Sequence, residues 1–192
     1  MSTLILVRHA NTFEPGEAAY WVGAKEDPPL SASGRAQLPD LSRRITARLA
    51  GESPFVISSP LRRARETAEA IAGGAPVVID QRLIELDFGP WANLTDAEIV
   101  SAGNGAELQA WRDQSTPPAA WNLDELAKMS DLRSLLDECR TRSLTLAVTS
   151  NGVLKLLGSL LQGAGPWSVK TAQFCALRLD TGNGWRVDGW SE

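Results

Sequence analysis

Short apolar runs alternate with helical patterns along this chain. Four runs are rich in β-branched and aliphatic residues and predict strands: residues 3–7 and 55–57, which should be buried, and residues 76–79 and 144–148. Near the C-terminus, residues 174–179 and 185–187 flank the turn sequence Asp-Thr-Gly-Asn-Gly at 180–184. This arrangement predicts a β-hairpin.

Between these runs, apolar residues at helical spacing predict α-helices. We expect helices over residues 31–49, 61–72, 123–140 and 153–161. Ser31 is a candidate N-cap for the first helix, and Pro39 should kink or restart it. Ser59 followed by Pro60 is expected to open the second helix, as a cap residue and a proline at the first helical position.

Three further patterns complete the prediction of local structure. Thr95 and Glu98 match a capping box, which predicts a short helix. Residues 103–121 contain Gly, Pro and Trp, and we expect them to form a mobile or lid-like insertion. Within residues 123–140, five apolar side chains should share one buried face: Leu126, Met129, Leu132, Leu135 and Leu136.

The alternation of strands and helices predicts the fold class. We expect an α/β protein, a three-layer α/β/α sandwich whose central sheet is mostly parallel with an antiparallel hairpin at its edge. The chain contains no internal repeat, no low-complexity tract and no linker rich enough to divide it. We therefore expect residues 1–192 to form a single domain.

Composition excludes several classes of partner. The 192 residues carry a formal net charge of −4, which argues against a protein that holds nucleic acid or an anionic membrane by bulk charge. The apolar run at residues 4–7 is far shorter than the roughly 18 residues that span a bilayer, and it is too short for a signal-peptide core. Cys139 and Cys175 are isolated thiols, so a reducing cytoplasm is the expected location.

His9 is the single histidine, which limits the chemistry further. A zinc site built on several imidazoles is excluded, and the chain has neither a GxSxG elbow nor a GxxxxGK[ST] loop. We expect no metal and no cofactor. The sheet edges and the seven tryptophans are compatible with a homodimer.

Polar residues follow the predicted parallel strands, where ligand sites of such sheets lie. Arg8 and His9 follow the first strand, Ser58 the second, Glu85 lies beyond the third, and Asn151 comes after the fourth. Arginines at positions 62, 63 and 65 lie in the helix after Ser58. Together these residues predict a phosphate-binding pocket. Taken singly, each also has a structural interpretation, as a satisfied buried histidine, a solvated helix face or a surface carboxylate.

Five sequence blocks, in order along the chain, carry a resemblance to a known family. Residues 4–12 (LILVRHANT) are similar to an RHG signature, and residues 27–31 with Gly34 to a "pLt..G" segment. Residues 58–68 match "SPLxRAxxTA", residues 83–91 match "LxExxfGxW", and residues 149–153 (TSNGV) lie where an "SHGG" turn is expected. The chain thus resembles the histidine phosphatase superfamily, which includes phosphoglycerate mutases and small bacterial acid phosphatases.

The resemblance implies a role for each polar residue. His9 would be the nucleophile and become a phosphohistidine, with its other ring nitrogen fixed by a hydrogen bond to a backbone carbonyl. Arg8 and Arg63 would clamp the phosphoryl oxygens, Arg63 being the arginine that precedes Ala64 in the family block. Glu85 would be the general acid and then the base for water.

Further positions are implied around the phosphate. The residues that would bind it are Asn11, Thr12, Ser58 and Gly152. Asn151 stands where the family has a second catalytic histidine, Ala10 where the signature has a glycine, and Pro15 where mutase-like members carry an asparagine. Asn151 can donate through its amide, but without charge assistance.

Three functions remain open at this point. The chain could be a phosphomonoester hydrolase acting on a phosphorylated small molecule, a catalytically impaired pseudophosphatase that binds a phosphorylated small molecule or protein, or an interaction module. Mutase activity is less favoured than hydrolysis, because mutases of this family generally carry extra segments. Trp21, Trp111 and Trp121 could form the wall around the leaving group, although core packing is the simpler interpretation.

Overall fold

A six-stranded mixed sheet forms the centre of the computed structural model, which describes residues 2–161, 167–180, 182 and 184–191. The strands are β1 (Thr3–Arg8), β2 (Phe55–Ser58), β3 (Val77–Ile79), β4 (Leu144–Thr149), β5 (Phe174–Asp180) and β6 (Gly184–Trp190). Their order is β3-β2-β4-β1-β5-β6, parallel from β3 to β1 and antiparallel at β5 and β6. The predicted sheet and its edge hairpin are confirmed.

Helices cover both faces of the sheet. They are α1 (Ala32–Leu49), α2 (Arg62–Ile71), α3 (Asp96–Ser101), α4 (Gly105–Gln114), α5 (Glu125–Arg140) and α6 (Asn151–Leu160). Alternate residues of β1 point to opposite sides: Ile5 and Val7 pack with α1 and α2, whereas Leu4 and Leu6 pack with α3 to α6. The two separate cores confirm the three-layer α/β/α architecture.

The strand register brings the polar strand ends together. Arg8 at the end of β1 pairs with Thr149 at the end of β4, and Ser58 at the end of β2 pairs with Val148. Because these three strands are parallel, the residues that follow them lie at one edge of the sheet. This edge carries the site described below.

Of the three helix caps predicted from the sequence, two are present. Ser31 caps α1, because its hydroxyl accepts a hydrogen bond from the Gly34 N–H at 3.0 Å. The capping box of Thr95 with Glu98 is also present. The prediction that Ser59 caps the second helix is wrong: Leu61 is the N-cap, and α2 begins two residues after Pro60.

Other expectations about helices need correction. α1 continues through Pro39, whose ring faces solvent while Leu41 and Ile45 hold the next turns against the core. Residues 103–121 are not simply a lid, since they include α4, and Trp111 of that helix is buried in the core. Leu126, expected on the buried face of its helix, is 84% exposed. It lies in the first turn of α5, whose buried face includes Lys128 and Leu132.

No helix within the described ranges combines the length and the hydrophobicity that crossing a bilayer requires.

Candidate active site

An open cavity of about 780 Å³ lies at the carboxyl ends of β1, β2 and β4. Eight of the nine residues predicted from the sequence line it: Arg8, His9, Asn11, Thr12, Arg63, Glu85, Asn151 and Gly152. The ninth, Ser58, does not. It is fully buried at the end of β2, and its hydroxyl donates to the Ser59 carbonyl at 3.0 Å. The structure therefore places Ser58 beneath the site and not on its surface.

His9 is fixed at the floor of the cavity by its neighbours in the chain. Its Nδ1 lies 2.8 Å from the Ala10 carbonyl oxygen, which can only accept, so Nδ1 carries the proton. The Nε2 atom of the neutral ring therefore keeps its lone pair. Burial, together with the positive charges of Arg63 and Arg8, holds the pKa of His9 well below 6.5. The low pKa of His9 favours the neutral form of the imidazole.

Two arginines flank His9, the half-buried Arg8 and the buried Arg63. Nη1 of Arg8 donates to the Val169 carbonyl at 2.8 Å, whereas its Nε is buried with no hydrogen-bond partner among the described residues. Burial and the charge of Arg63 lower the pKa of Arg8, and the carboxylate of Glu85 opposes this shift. Two neighbouring guanidinium groups facing one carboxylate leave a net positive floor, which favours an anionic ligand.

Arg63 differs sharply from its neighbour Arg62. Its Nη1 and Nη2 donate to the carbonyls of Glu26 and Gly23 at 3.1 and 2.9 Å, and the residue is only 2% exposed. Arg62 instead faces solvent and pairs with Glu66, one turn along the same helix, at 2.6 Å. The structure thus brings Arg63 into the cavity and leaves Arg62 outside.

Thr67 links the loop after β1 to helix α2. Its hydroxyl donates to the Arg63 carbonyl at 2.8 Å and accepts from the Ala10 N–H at 3.1 Å. One buried threonine therefore fixes the backbone beside His9 relative to the backbone of Arg63. Local sequence patterns assign no role to Thr67, although the residue belongs to the block that carries the resemblance.

Glu85 is held against the first turn of α6. Its Oε1 accepts from the Leu86 N–H at 3.0 Å, and its Oε2 accepts from the Gly152 N–H at 3.3 Å. Gly152 has no room for a side chain, because a Cβ would overlap Oε1 of Glu85 and lie 3.0 Å from Leu86 Cδ1. A side chain at this position would displace the Glu85 carboxylate, so the glycine allows the carboxylate to lie against α6.

The segment that precedes Glu85 is fixed by two buried polar residues. Nζ of Lys128, from α5, donates to the carbonyls of Arg82 and Ile84 at 2.9 and 2.8 Å. The Thr149 hydroxyl, at the end of β4, donates to the Leu83 carbonyl at 2.7 Å. Three consecutive carbonyls are thereby held, so the position of Glu85 depends on residues that do not line the cavity.

Asn151 begins α6 with its side chain unpaired. Its Oδ1 is buried with no hydrogen-bond partner within the described ranges, and the same holds for Oγ of Ser150, the N-cap. The two ends of a side-chain amide can exchange by rotation, so Asn151 can present either a donor or an acceptor to a ligand. A buried polar group left without a partner is costly, and this amide is therefore available to a bound molecule.

The loop after β1 is held by hydrogen bonds at Asn11, near its start, and at Ser31, where it meets α1. The Asn11 N–H donates to Gln37 Oε1 at 3.0 Å, and Thr171 Oγ1 donates to Asn11 Oδ1. The Asn11 carbonyl accepts from the Ser31 N–H at 3.0 Å, and Gly34 packs so closely on this carbonyl that a Cβ there would overlap it. Thr12 is half-buried at the cavity edge.

Aromatic and charged side chains form the outer wall of the cavity. Trp21 and Trp111 line it, whereas Trp121 is buried behind them, 4.9 Å from the Trp111 ring. Asp96 accepts from Trp21 Nε1 at 2.9 Å and pairs with Arg112. Of the three tryptophans considered for this wall, Trp21 and Trp111 line the cavity, and Trp111 and Trp121 also pack in the core.

Lys155 also lines the cavity and was not among the residues predicted from the sequence. It is the one charged residue of α6, whose other nine residues are polar or apolar but uncharged. A lone lysine one turn after Asn151 in an otherwise uncharged helix was the signal that could have located it.

The described part of the chain contains no cluster of three or more His, Cys, Asp or Glu residues arranged to hold a metal ion.

A mixed α/β sandwich with a buried histidine and two arginines at one edge of its sheet is suited to binding an anionic ligand. The chain belongs to the histidine phosphatase superfamily (branch 1), whose family model matches residues 4–192. The resemblance noted in the sequence is confirmed.

Curated relatives include phosphatases and a mutase-like protein. A glucosyl-3-phosphoglycerate phosphatase of Mycolicibacterium vanbaalenii is 36% identical over 118 residues, which are 58% of this chain and 48% of that protein. A probable phosphoglycerate mutase of Salmonella paratyphi C is 31% identical over 205 aligned positions, covering 99% of this chain and 90% of that protein. The chain therefore spans about half the length of the mycobacterial phosphatase that it matches.

Solved structures confirm the fold. A mycobacterial glucosyl-3-phosphoglycerate phosphatase complexed with VO3 superposes with a TM-score of 0.80 at 24% identity, covering 99% of this chain and 98% of that one. A phosphoserine phosphatase of Entamoeba histolytica, in complex with 3-phosphoglyceric acid, gives a TM-score of 0.81 at 21% identity, with 100% and 98% coverage.

Proposed function

We propose that this chain is a phosphomonoester hydrolase that acts through a phosphohistidine on His9. The observation that carries the proposal is the bond from His9 Nδ1 to the Ala10 carbonyl, which leaves Nε2 free beside Arg8 and Arg63. The neutral ring and the two fixed cations are what attack on a phosphate dianion needs.

The reaction has two steps. In the first, His9 Nε2 forms a bond to phosphorus while the bond from phosphorus to the ester oxygen breaks, and Glu85 gives its proton to that oxygen. In the second, water attacks the phosphohistidine, Glu85 takes the proton from the water, and inorganic phosphate leaves His9 neutral again. Arg8 and Arg63 neutralise the phosphoryl oxygens throughout both steps.

Phosphorylated small molecules are the substrate class that the relatives favour. Their names refer to glucosyl-3-phosphoglycerate and phosphoserine, and the cavity of about 780 Å³ has the size of small-molecule sites. We place the reaction in the cytoplasm, because the two free thiols, Cys139 and Cys175, are unpaired and buried, as is usual in a reducing compartment.

The proposal is tested with an aryl phosphate, 4-nitrophenyl phosphate, in the presence of a chelator. We expect turnover by the natural chain and a loss of at least about 10³-fold in His9→Ala, as for other catalytic nucleophiles. Arg62→Met is the matched control for Arg63→Met, since both remove one guanidinium from adjacent positions of α2. Only the Arg63 variant should lose activity. Equal turnover by the natural chain and His9→Ala would refute hydrolysis through His9.

A second function, binding without turnover, is favoured by Asn151. Its uncharged amide, with Oδ1 unpartnered, lies where the family pattern has a histidine. Loss of a positioned donor typically lowers a rate by about 10²–10³-fold. If the chain is a pseudophosphatase, inorganic phosphate should raise the melting temperature of the natural chain but not of Arg63→Met, while no aryl phosphate is hydrolysed. Asn151→His should then increase hydrolysis.

A further inference from the structure

Residues 169–173, the segment that leads into β5, lie against the end of β1. The Val169 carbonyl accepts from Nη1 of Arg8 at 2.8 Å, and the Gln173 carbonyl accepts from the backbone N–H of Arg8 at 3.0 Å. Both the guanidinium group and the backbone of Arg8 are therefore bonded to this segment. The direction in which Arg8 faces the cavity depends on where residues 169–173 lie.

Ala172 has an unfavourable backbone conformation within this segment. Its φ is +55°, in the left-handed region that a residue with a Cβ adopts only at a cost. In this conformation its N–H donates to the His9 carbonyl at 3.2 Å, and the residue is buried. Such a conformation persists only where the surrounding contacts hold it. The contacts of Ala172 therefore bear on the geometry of the floor.

Arg44, in the middle of α1, provides the contact on the other side of Ala172. Its Nη2 donates to the Ala172 carbonyl at 2.7 Å, and its Nε donates to Asp40 Oδ2 at 2.8 Å. The guanidinium carbon lies 5.9 Å from the centre of the Phe174 ring. Ala172 is thus bonded twice, through its carbonyl to Arg44 and through its N–H to His9.

The guanidinium group of Arg44 is placed at a cost. Its third nitrogen, Nη1, is buried and has no hydrogen-bond partner in the part of the chain that the structure describes. A buried donor without a partner is unfavourable, whereas a bond from a cation to a carbonyl is stronger than one between neutral groups. The bond to Ala172 is therefore the main polar contact that draws this side chain inward.

Arg43 shows what an arginine of α1 does without this contact. It pairs with the same Asp40 carboxylate, at 2.6 Å, but its side chain is 73% exposed. The side chain of Arg44 is only 21% exposed. Two adjacent arginines thus share one anionic partner, and Arg44 alone of the two is bonded to the segment that holds Arg8.

We propose that Arg44 is a positioning residue for the phosphate site. It holds Ala172 in the left-handed conformation, and residues 169–173 then orient Arg8 toward the phosphate. Arg44 is not one of the described residues that line the cavity, so it acts without touching the substrate. The inference rests on the proposed function, because that function gives Arg8 its role at the phosphate.

Arg44→Met and Arg43→Met are a matched pair for the first test. Each variant loses one positive charge and one bond to Asp40, but only Arg44→Met loses the bond to Ala172. We expect Arg44→Met to lower kcat/KM for 4-nitrophenyl phosphate by about 10- to 100-fold, the range for a small misplacement of a reacting group. Arg43→Met should stay within about 2-fold of the natural chain. Equal values for the two variants would overturn the inference.

Ala172→Gly separates positioning from a merely structural role. Glycine adopts a positive φ without a steric penalty, so the turn then needs less support from Arg44. In the Ala172→Gly background, Arg44→Met should lower kcat/KM by less than about 3-fold. An arginine that only joined α1 to the sheet would cause the same fold-loss in both backgrounds, and this result would overturn the inference.

Arg44→Lys is the second variant, used if Arg44→Met does not fold. A lysine keeps the cation but lacks the fork that bonds Asp40 and Ala172 together. Its loss of kcat/KM should be at least about 3-fold with Ala172 and should disappear with Ala172→Gly. A loss that is the same in the two backgrounds would again refute the role of Arg44.

Phosphate binding separates failure of this inference from failure of the proposed function. If 4-nitrophenyl phosphate is hydrolysed but the losses do not follow this pattern, the role of Arg44 is wrong and the hydrolase stands. If the natural chain hydrolyses nothing, the hydrolase is wrong, and titration calorimetry with inorganic phosphate decides about Arg44. Its Kd should then rise about 10-fold in Arg44→Met and stay within about 2-fold in Arg43→Met. Equal affinities, or no phosphate binding by the natural chain, would refute the role of Arg44 as well.

Discussion

The inner and outer ends of the cavity are held in place by different kinds of contact. At the inner end, His9 and Arg63 are bonded to backbone carbonyls, and both residues are buried. At the outer end, Trp21 and Arg112 both bind the carboxylate of Asp96. The side chains of Arg112 and Asp96 are 47% and 51% exposed. The floor is built into the fold, whereas this part of the wall is held by surface side chains.

This difference separates chemistry from substrate choice. The bonds to backbone carbonyls fix the side chains of His9 and Arg63, so these two groups are held in one geometry. Exposed ion pairs contribute little stability and are screened by salt, so the outer wall can change at small cost. We therefore expect changes at the floor to affect kcat strongly and changes at the outer rim to affect KM weakly.

Among these variants, Gly152→Ala should disturb the floor of the cavity most and cause the largest loss of activity. The new methyl would overlap Oε1 of Glu85 and crowd Leu86, so the carboxylate must move away from α6. We expect activity to fall by at least about 100-fold and stability by about 1–3 kcal/mol. Urea unfolding together with steady-state kinetics would measure both.

Gly105→Ala is the matched control for this change. A Cβ at Gly105 would meet only the Val100 methyl groups, at 3.8 Å, so stability should stay within about 0.5 kcal/mol of that of the natural chain. Full activity in Gly152→Ala would show that Glu85 does not need its place against α6.

Lys128→Met should impair the floor from outside the cavity. Without the bonds from Nζ to the carbonyls of Arg82 and Ile84, the segment before Glu85 loosens. An alkyl phosphate, whose leaving group needs a proton, should lose at least about 10-fold more activity than 4-nitrophenyl phosphate, whose leaving group does not. Arg133→Met on the same helix is the control. Equal losses on the two substrates would mean that Lys128 supports the fold without positioning the acid.

Lowering the pH should destabilise the protein through His9. The pKa of His9 is depressed in the folded chain by burial and by Arg63 and Arg8, so below its ordinary value of 6.5 only the unfolded chain takes up the proton. Stability from this source is complete above pH 6.5 and falls as the pH drops, by at most about 1.4 kcal/mol per pH unit. Urea unfolding of the natural chain and of His9→Asn, at about pH 7.5 and about pH 5.5, would measure the effect. On going to acid, the natural chain should lose more free energy of unfolding than His9→Asn does. An equal loss in the two chains would contradict the lowered pKa of His9.

Arg112→Gln should have the smallest effect, because the ion pair with Asp96 is exposed and the variant keeps the backbone carbonyl that Lys155 uses. We expect KM to change by at most about 5-fold with kcat unchanged, and the change to shrink at high salt. Michaelis curves at two salt concentrations would show this. A fall in kcat comparable to that of Lys128→Met would remove the distinction between floor and rim.

The sequence predicted the sheet and the convergence of the polar strand ends because both depend on local patterns. Buried parallel strands are continuous apolar runs, so the residue after each run lies at the ligand edge. Ser58 shows the limit of this reasoning: it has the right position along the chain, but its side chain is buried beneath the site.

Lys128 and Lys155 could not be assigned from local patterns. Each is a polar residue on a helix, and its role depends on backbone carbonyls 46 and 43 positions away in the chain. Leu126 was misjudged for a related reason, since helix periodicity does not fix where the neighbouring elements pack. Tertiary contacts over such separations decide which face of a helix is buried.

The junction of Asn11 with Ser31 has a consequence for how this protein can diversify. The loop of residues 12–30 begins and ends at this hydrogen bond between Ser31 and Asn11. Its exposed stretch, residues 15–20, borders the cavity. Because the entropy of closing a loop depends only weakly on its length, residues can be gained or lost at this tip with little penalty to folding. The border of the cavity at residues 15–20 can thus change in length and sequence while the residues at the floor stay in place.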